Sequence, residues 1–234
     1  MKSKENKYFL KMEELYRIFL EAGKGLFYTG MPDLHPGADC LSGFRGPMNL
    51  NYDMLDHPQE IEQALKKVNA DFLQFFDHYY HKLINLSQPV TGWPGIVSDT
   101  KWHVPSNDFS CMVSHKMFID FFIEPLIEEM KHMEKNVYHL DGPGALQHLN
   151  SLLNIPELSA VQWVYGAGNG TTSDYIGIYQ SIQNAGKSIQ MMEVFPGDLD
   201  ALIDNLAPEG VWMNVWVDND DEADYVMKKI NNWR

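Results

Sequence analysis

Arginine is scarce in this chain of 234 residues, where only Arg17, Arg45 and Arg234 occur. Lysine supplies the rest of the 18 basic residues against 32 acidic ones, so the formal net charge is -14. A nucleic-acid-binding face needs clustered basic residues that displace counterions from phosphates, and the sequence has no such cluster. A pocket for a polyanion would also lack guanidinium groups for paired hydrogen bonds. We therefore expect no nucleic-acid partner and a neutral or cationic small-molecule substrate.

Cysteine and long apolar runs are also scarce. Cys40 and Cys111 are too few for a disulfide framework, which favours a reducing, cytoplasmic location. No apolar run reaches the roughly 18 residues of a membrane span, and the charged N-terminal segment lacks the apolar core of a signal peptide. Because the composition shows no break that would mark a linker, we expect one domain over residues 1–234 and no membrane contact.

Apolar periodicity divides the chain into two parts. The first part is predicted to contain helices over 5–23, 58–86 and 114–135, strands over 26–30 and 108–113, and a long ordered loop over 88–107. The second part alternates strands with helices, the strands covering 137–141, 160–164, 188–192 and 211–217. Such a repeat predicts a parallel sheet with crossover helices, in either a (β/α) barrel or a doubly wound arrangement.

Ligands bind at the carboxyl ends of the strands in both arrangements. The polar and aromatic residues expected there are Asp33, His35, Asp39, Asp108, His139, Asp141, Trp163, Tyr165, Glu193, Asn214, Trp216 and Asp218. These residues are therefore the first candidates for a functional site.

Two pairs within this set alternate in a way that suits shared chemistry. His139 and Asp141 lie two residues apart, so both side chains emerge from the same face of a strand. They could bind one metal ion, serve as an acid or base with its orienting carboxylate, or form only a structural hydrogen bond at the sheet rim. Asp33 and His35 repeat the pattern after the first predicted strand, in a segment whose Asp and Pro residues also suit a simple turn.

Tryptophans supply a second feature of the predicted site. Several lie at strand ends or in the long loop, where they can line a pocket that stacks a planar substrate or holds a cation. The tryptophans predicted to do so are Trp93, Trp102, Trp163 and Trp216.

Several motifs together resemble one known superfamily. They are the run Tyr138–Leu146, His148-Leu149, Leu152-Leu153, Ile155–Leu158 and Gln162–Gly168, with Asp33–Gly37, Asp39 and Arg45-Gly46 upstream. This set resembles a branch of the uroporphyrinogen decarboxylase-like superfamily over nearly the whole chain. The block from His139 to Gly168 is the specific part of the resemblance, and the rest supports it.

The resemblance implies a (β/α)8 TIM barrel and one of two activities. The superfamily contains uroporphyrinogen decarboxylases and cobalamin-dependent methyltransferases, which exchange methyl groups with a corrinoid carried by a partner protein. Those methyltransferases hold zinc with a His-x-Cys pair and a later cysteine. Here Asp141 stands where the first cysteine would be, and the segment around 214–217 has no cysteine. A site for zinc or another divalent metal would therefore use oxygen and nitrogen ligands, or no metal is bound.

Compared with the superfamily, the chain is expected to be short at its N-terminus. Members carry more chain before the equivalent of the 5–23 helix, and only six or seven strands are predicted here instead of eight. An incomplete barrel exposes sheet edges and apolar surface. We therefore expect a homo-oligomer, or a partner chain that completes the barrel.

The resemblance and the strand-end residues together favour a corrinoid-linked methyltransferase that acts on a small methylated substrate. His139 and Asp141 are predicted to bind a metal or polarise the substrate, with Asp33 and His35 assisting catalysis. The residues expected to bind substrate are Trp163, Tyr165, Trp93, Trp102, Trp216 and Arg45. One alternative is a decarboxylase of uroporphyrinogen or of a smaller carboxylate. The other is a non-catalytic fragment that binds a ligand or partner.

Overall fold

A computed structural model describes residues 6–234 as a mixed α/β fold. The α-helices of this range are α1 (Lys7–Ala22), α2 (Gly37–Arg45), α3 (Pro47–Asp56), α4 (Pro58–Ile84), α5 (His115–Phe121), α6 (Ile123–Lys131), α7 (Leu149–Leu153), α8 (Ile176–Asn184), α9 (Leu199–Asn205) and α10 (Asp220–Asn231). The strands are β1 (Val90–Thr91), β2 (Val97–Ser98), β3 (Trp102–His103), β4 (Lys135–Asp141), β5 (Ala160–Val164), β6 (Ser188–Val194) and β7 (Val211–Val215).

Five strands form one parallel sheet in the order β3-β4-β5-β6-β7, so each strand lies beside its neighbour in the sequence. The predicted repeat of strands and helices in the second half of the chain is thereby confirmed. The short strands β1 and β2 form a separate antiparallel hairpin. The main sheet thus has five strands, fewer than the six or seven expected, and β3 and β7 are its edges within the described residues.

The two faces of the sheet differ in chemistry. One face packs on the helices through apolar side chains, among them Tyr138, Leu140, Val161, Trp163 and Met191, which belong to the main buried core. The strand alternation places the intervening residues on the other face. There His139, Gln162 and Gln190 form a row across β4, β5 and β6, because the register pairs His139 with Gln162 and Gln162 with Gln190.

The loop predicted over 88–107 contains the β1–β2 hairpin and the edge strand β3. The hairpin lies over the polar face of the sheet, where the buried side-chain amide of Gln190 donates a hydrogen bond to the carbonyl oxygen of Pro94 at 3.3 Å. The indole of Trp102 donates to the carbonyl oxygen of Val90 at 3.0 Å and thereby fixes the hairpin to β3. This segment is therefore an ordered cover over one part of the sheet.

Three predicted elements in the first half differ from the structure. Residues 26–30 form no strand; the amide of Thr29 instead donates to the side chain of Gln88 at 3.1 Å. The predicted strand 108–113 is a 3-10 helix over Asp108–Met112, which packs near α2. The predicted helix 114–135 is divided into α5 and α6 at Phe122, since Pro125 has no N–H to continue the helical hydrogen bonds. The predicted helix 58–86 is confirmed as α4.

Apolar side chains remain exposed at several places away from the core, including Phe44, Met48 and Leu55 on α2 and α3, and two of these places adjoin the first helix or the sheet edge. The first is α1 with the turn that follows it, where the exposed residues include Tyr8, Leu15, Ile18, Phe19 and Phe27. The second is the β7 edge of the sheet, with Trp212 and Trp216. Within residues 6–234, none of the helices combines the length and the apolar character required to span a bilayer.

Candidate metal centre

Three side chains converge where β4 ends. Asp108, His139 and Asp141 each offer one ligand atom, and these three atoms lie within 4.8 Å of one another. His139 Nε2 and Asp108 Oδ1 are 3.8 Å apart. The predicted pair His139 and Asp141 therefore belongs to a three-residue group at the carboxyl edge of the sheet.

Local backbone structure positions this group. His139 and Asp141 emerge from one face of β4 because they are two residues apart in a strand. The amide of His139 donates to the carbonyl oxygen of Pro105 at 2.9 Å, which extends the sheet beyond β3. Asp108 follows this segment directly, so the chain places its carboxylate beside the imidazole of His139.

Asp39 anchors the segment that carries Asp108. Its carboxylate accepts hydrogen bonds from the amides of Asp108 at 3.0 Å and Phe109 at 2.9 Å. These contacts satisfy the free amides at the start of the 3-10 helix, which is why this segment turns instead of continuing as a strand. Asp39 is therefore committed to the backbone, whereas Asp108 remains free to bind a ligand.

A row of hydrogen bonds that all run in one direction determines which ring nitrogen of His139 donates a proton. The carbonyl oxygen of the Gln190 side chain accepts from the side-chain nitrogen of Gln162 at 2.8 Å. The remaining side-chain oxygen of Gln162 contacts His139 Nδ1, so that nitrogen must donate a proton. In the neutral imidazole this leaves the lone pair on Nε2, the nitrogen that faces Asp108, as a metal ligand requires.

A second hydrogen-bonded chain borders the same cleft. The hydroxyl oxygen of Ser106 lies 3.2 Å from the carboxylate of Asp39 and 2.9 Å from His35 Nδ1. His35 Nε2 lies 3.0 Å from the carboxylate of Asp33, which accepts a proton from this nitrogen when it is ionised. His35 therefore links Asp33 to Ser106 and, through Ser106, to Asp39.

The carboxylates of Asp108 and Asp141, with that of Asp39 nearby, repel one another. Burial raises the pKa of Asp108, and the nearby carboxylate of Asp39 raises it further, while His139 acts in the opposite direction. Burial together with Asp108 and Asp141 raises the pKa of the Cys111 thiol, so this exposed cysteine is not activated. A divalent cation would relieve the repulsion among the carboxylates.

The ligand set fits such a cation. Two ligand atoms bound at about 2.0–2.1 Å to a tetrahedral zinc lie about 3.4 Å apart, so the 3.8 Å separation of His139 Nε2 and Asp108 Oδ1 needs only a small contraction. Two carboxylates and one imidazole leave at least one position for a substrate or water. Oxygen ligands also suit manganese or magnesium, which do not require a thiolate.

A cleft of about 280 Å³ opens beside His139 and is lined by Asp33, His35, Trp93, Val104, Ser106 and His139. The indole of Trp93 lies perpendicular to the imidazole of His139, with ring centres 5.4 Å apart. The predicted residues Asp33, His35, Trp93, His139 and Asp141 are therefore brought to one region. No lysine or arginine of residues 6–234 lines this cleft.

Other predicted substrate-binding residues lie elsewhere. Trp163 is only 1% exposed and belongs to the core on the helix side of the sheet, and Tyr165 is buried and stacks on Tyr175. Arg45 forms an exposed ion pair with Asp53 at the α2–α3 junction.

The two other tryptophans of the predicted set also lie outside the cleft at His139. Trp102 is buried beneath the β1–β2 hairpin. Trp216 is exposed beyond β7, in a separate cleft with Glu193 and Asp218. The structure therefore places neither of them against His139.

Gln162, Gln190 and Ser106 support the site but were not among the predicted site residues. One feature of the sequence pointed to the glutamines: Gln162 lies in the middle of the otherwise apolar strand Ala160–Val164, and Gln190 lies between apolar residues of Ser188–Val194. A polar residue in such a strand requires a partner, and here the partners are each other and His139. Ser106 had no comparable pattern.

Comparison with known proteins identifies no relative. No family model matches the chain, and neither a curated protein nor a solved structure matches it.

Proposed function

We propose that this chain is a uroporphyrinogen decarboxylase-like enzyme that uses a divalent metal to transfer a methyl group from a small substrate to a corrinoid on a partner protein. The observation that supports this best is the convergence of Asp108, His139 and Asp141 at the carboxyl edge of the sheet. Among them, His139 and Asp141 are the residues that the superfamily resemblance assigned to a metal.

We propose a TIM-barrel-like fold on two grounds. The five parallel strands follow one another in chain order, without the reversal that marks a doubly wound sheet. The polar face of the sheet also carries buried side chains that hydrogen-bond between strands, as in a barrel interior. Exposed edges and the apolar surfaces of α1 and β7 support self-association or a partner chain.

The proposed chemistry assigns distinct tasks to the residues of the cleft. Asp108, His139 and Asp141 would hold a divalent cation, which would supply a Lewis acid for a donor atom of the substrate. The Gln162 side chain keeps the Nδ1 proton of His139 in place, which leaves Nε2 free as a ligand. When the methyl donor is an alcohol or an ether, His35 can donate a proton to the oxygen from which the methyl group departs. A methylammonium donor leaves as a neutral amine and needs no proton. Trp93 covers one side of the substrate.

Methyl transfer to free cob(I)alamin tests the proposal, because methylcobalamin formation changes the visible spectrum. The substrates would be methanol, methoxylated aromatics and methylammonium compounds, with zinc or manganese present. We expect turnover by the wild type and its loss in His139→Ala and Asp141→Asn. Asp99→Asn, which changes an exposed carboxylate outside the site, is the matched control. Full turnover by His139→Ala would reject the assignment.

The decarboxylase alternative is favoured by one observation. Burial raises the pKa of Asp108, which makes its carboxyl group a better general acid for the carbanion left by loss of carbon dioxide. Against it, no basic side chain of the described residues lines the cleft to hold a carboxylate substrate. Incubation with uroporphyrinogen and trapping of released carbon dioxide separates the two activities. Metal binding without either reaction would favour the non-catalytic alternative.

A further inference from the structure

We infer that the cleft formed by Asp33, Trp93 and His139 takes an organic ammonium cation as its substrate. This inference rests on the proposed function for the metal centre and deepens it by naming the charge and class of the methyl donor. Three independent properties of the cleft support it: its size, its net charge and its aromatic wall.

The size of the cleft limits the ligand. Its volume is about 280 Å³, at the lower end of the roughly 300–1,000 Å³ of small-molecule sites. It adjoins the metal ligand His139 on one side and the exposed carboxylate of Asp33 on the other. A ligand with a handful of heavy atoms can therefore touch the metal centre and Asp33 together, whereas most of a tetrapyrrole would lie outside the cleft.

The charge of the cleft selects a cation. The carboxylate of Asp33 lines it, and those of Asp39, Asp108 and Asp141 lie next to its lining residues Ser106 and His139. Even with one divalent metal bound, four ionised carboxylates leave the local net charge negative. Lysine and arginine are missing from the lining within residues 6–234, and Arg45 is already paired with Asp53. A cationic ligand would neutralise the remaining charge, whereas an anionic ligand would increase it.

Trp93 supplies the surface that a methylated cation needs. Its side chain is 46% exposed although it contacts His139, so part of the indole remains open to the cleft. Indole is the side chain that attracts ammonium groups most strongly, and methylated ammonium groups lose little hydration on contact with it. Because Asp33 lies in the same lining, the cation can contact an aromatic ring and a carboxylate at once.

Binding of choline and of its neutral isostere 3,3-dimethylbutan-1-ol tests this inference, since the two differ only in the charged nitrogen. Isothermal titration with zinc-loaded protein should show choline binding at least about tenfold more tightly, by a margin that decreases with added salt. Trp93→Ala and Asp33→Asn should each weaken choline binding about fivefold or more. Trp212→Ala and Asp99→Asn change exposed residues outside the lining and should leave it unchanged.

Equal affinity for the two compounds, or tighter binding of acetate than of choline, would overturn the inference. The result is separable from the test of the proposed function, because it measures binding and needs no turnover. Selective choline binding without methyl transfer would support the inference and reject the function. Methyl transfer from a neutral methyl ether, without ammonium binding, would do the reverse.

Discussion

Gln162→Leu is the substitution that tests the candidate site most directly. Gln162 is fully buried, and its side chain links His139 to Gln190 through opposite ends of one amide. Leucine has a similar volume but no polar atoms. The variant therefore removes the acceptor for the Nδ1 proton of His139 and leaves all three proposed metal ligands unsubstituted. Its effect on metal affinity isolates the contribution of orientation and protonation.

Two separate effects are expected from this change. The variant leaves His139 Nδ1 and the side-chain oxygen of Gln190 without partners, and each unpaired buried group costs about 1–3 kcal/mol. Part of this cost is offset by burial of the leucine, so the free energy of unfolding should fall by about 2–4 kcal/mol. Loss of the partner that orients a ligand imidazole should also weaken metal binding by about 10–100-fold.

Gln190→Leu is the matched control. It also leaves two buried groups unpaired, the side-chain nitrogen of Gln162 and the carbonyl oxygen of Pro94, but it does not touch His139. We expect a similar loss of stability from urea unfolding, with zinc affinity within about threefold of the wild type. Equal metal affinities for Gln162→Leu and wild type would refute the reasoning. So would nitrogen-15 spectra of the metal-free protein showing the His139 proton on Nε2.

Three other substitutions test the charge of Asp108, the burial of His148 and the face of the sheet on which Trp163 lies. Asp108→Asn should abolish tight zinc binding. It should also slightly raise the melting temperature of the metal-free protein at neutral pH, because folding raises the pKa of the Asp108 carboxyl and ionisation therefore favours the unfolded chain as pH rises. A lower melting temperature by calorimetry would contradict this. Burial lowers the pKa of His148, so the unfolded chain binds a proton at this residue at a higher pH than the folded chain does. The stability of the wild type in urea should therefore fall as the pH drops below about 6.5. If the same pH dependence persists in His148→Gln, His148 is not its cause. Trp163→Phe should lower the free energy of unfolding by about 1–3 kcal/mol. Its zinc affinity should stay within about twofold of the wild type, because Trp163 and His139 lie on opposite faces of the sheet. A large loss of zinc affinity would mean that the two residues share a site.

The second half of the chain was predictable because its elements are locally determined. Strands β4 to β6 are runs of apolar, β-forming residues, and turn-forming residues separate them from the helices. The same pattern located the strand ends, and with them His139 and Asp141. Recognition of this part of the site required only the strand period and the rule that ligands bind at the carboxyl ends of parallel strands.

The wrong prediction for residues 108–113 has a long-range cause. The apolar residues of this segment suit a strand, but the carboxylate of Asp39 captures the amides of Asp108 and Phe109 and starts a 3-10 helix. Nothing within the segment itself reveals a partner that far away in the sequence. Local patterns therefore cannot show that Asp108 belongs beside His139.

The placement of Trp163 depends on information that its strand does not contain. Four of the five residues in Ala160–Val164 are buried, so the strand lacks the alternation that would distinguish its two faces. Gln162 settles the orientation once its partner His139 is known, because Trp163 must then point to the helices. A prediction based on aromatic residues at strand ends could not make that distinction.

The residues in contact at the site are separated by different lengths of chain, and these lengths imply an order of folding. His139 and Gln162 are 23 residues apart and Gln162 and Gln190 are 28 apart, so the polar row forms between adjacent strands as the sheet assembles. Asp39 and Asp108 are 69 residues apart, and closing that longer loop costs about 1 kcal/mol more in chain entropy. The sheet can therefore form before Asp108 reaches His139. Metal affinity would then appear only after the sheet is complete and would disappear first when the protein begins to unfold.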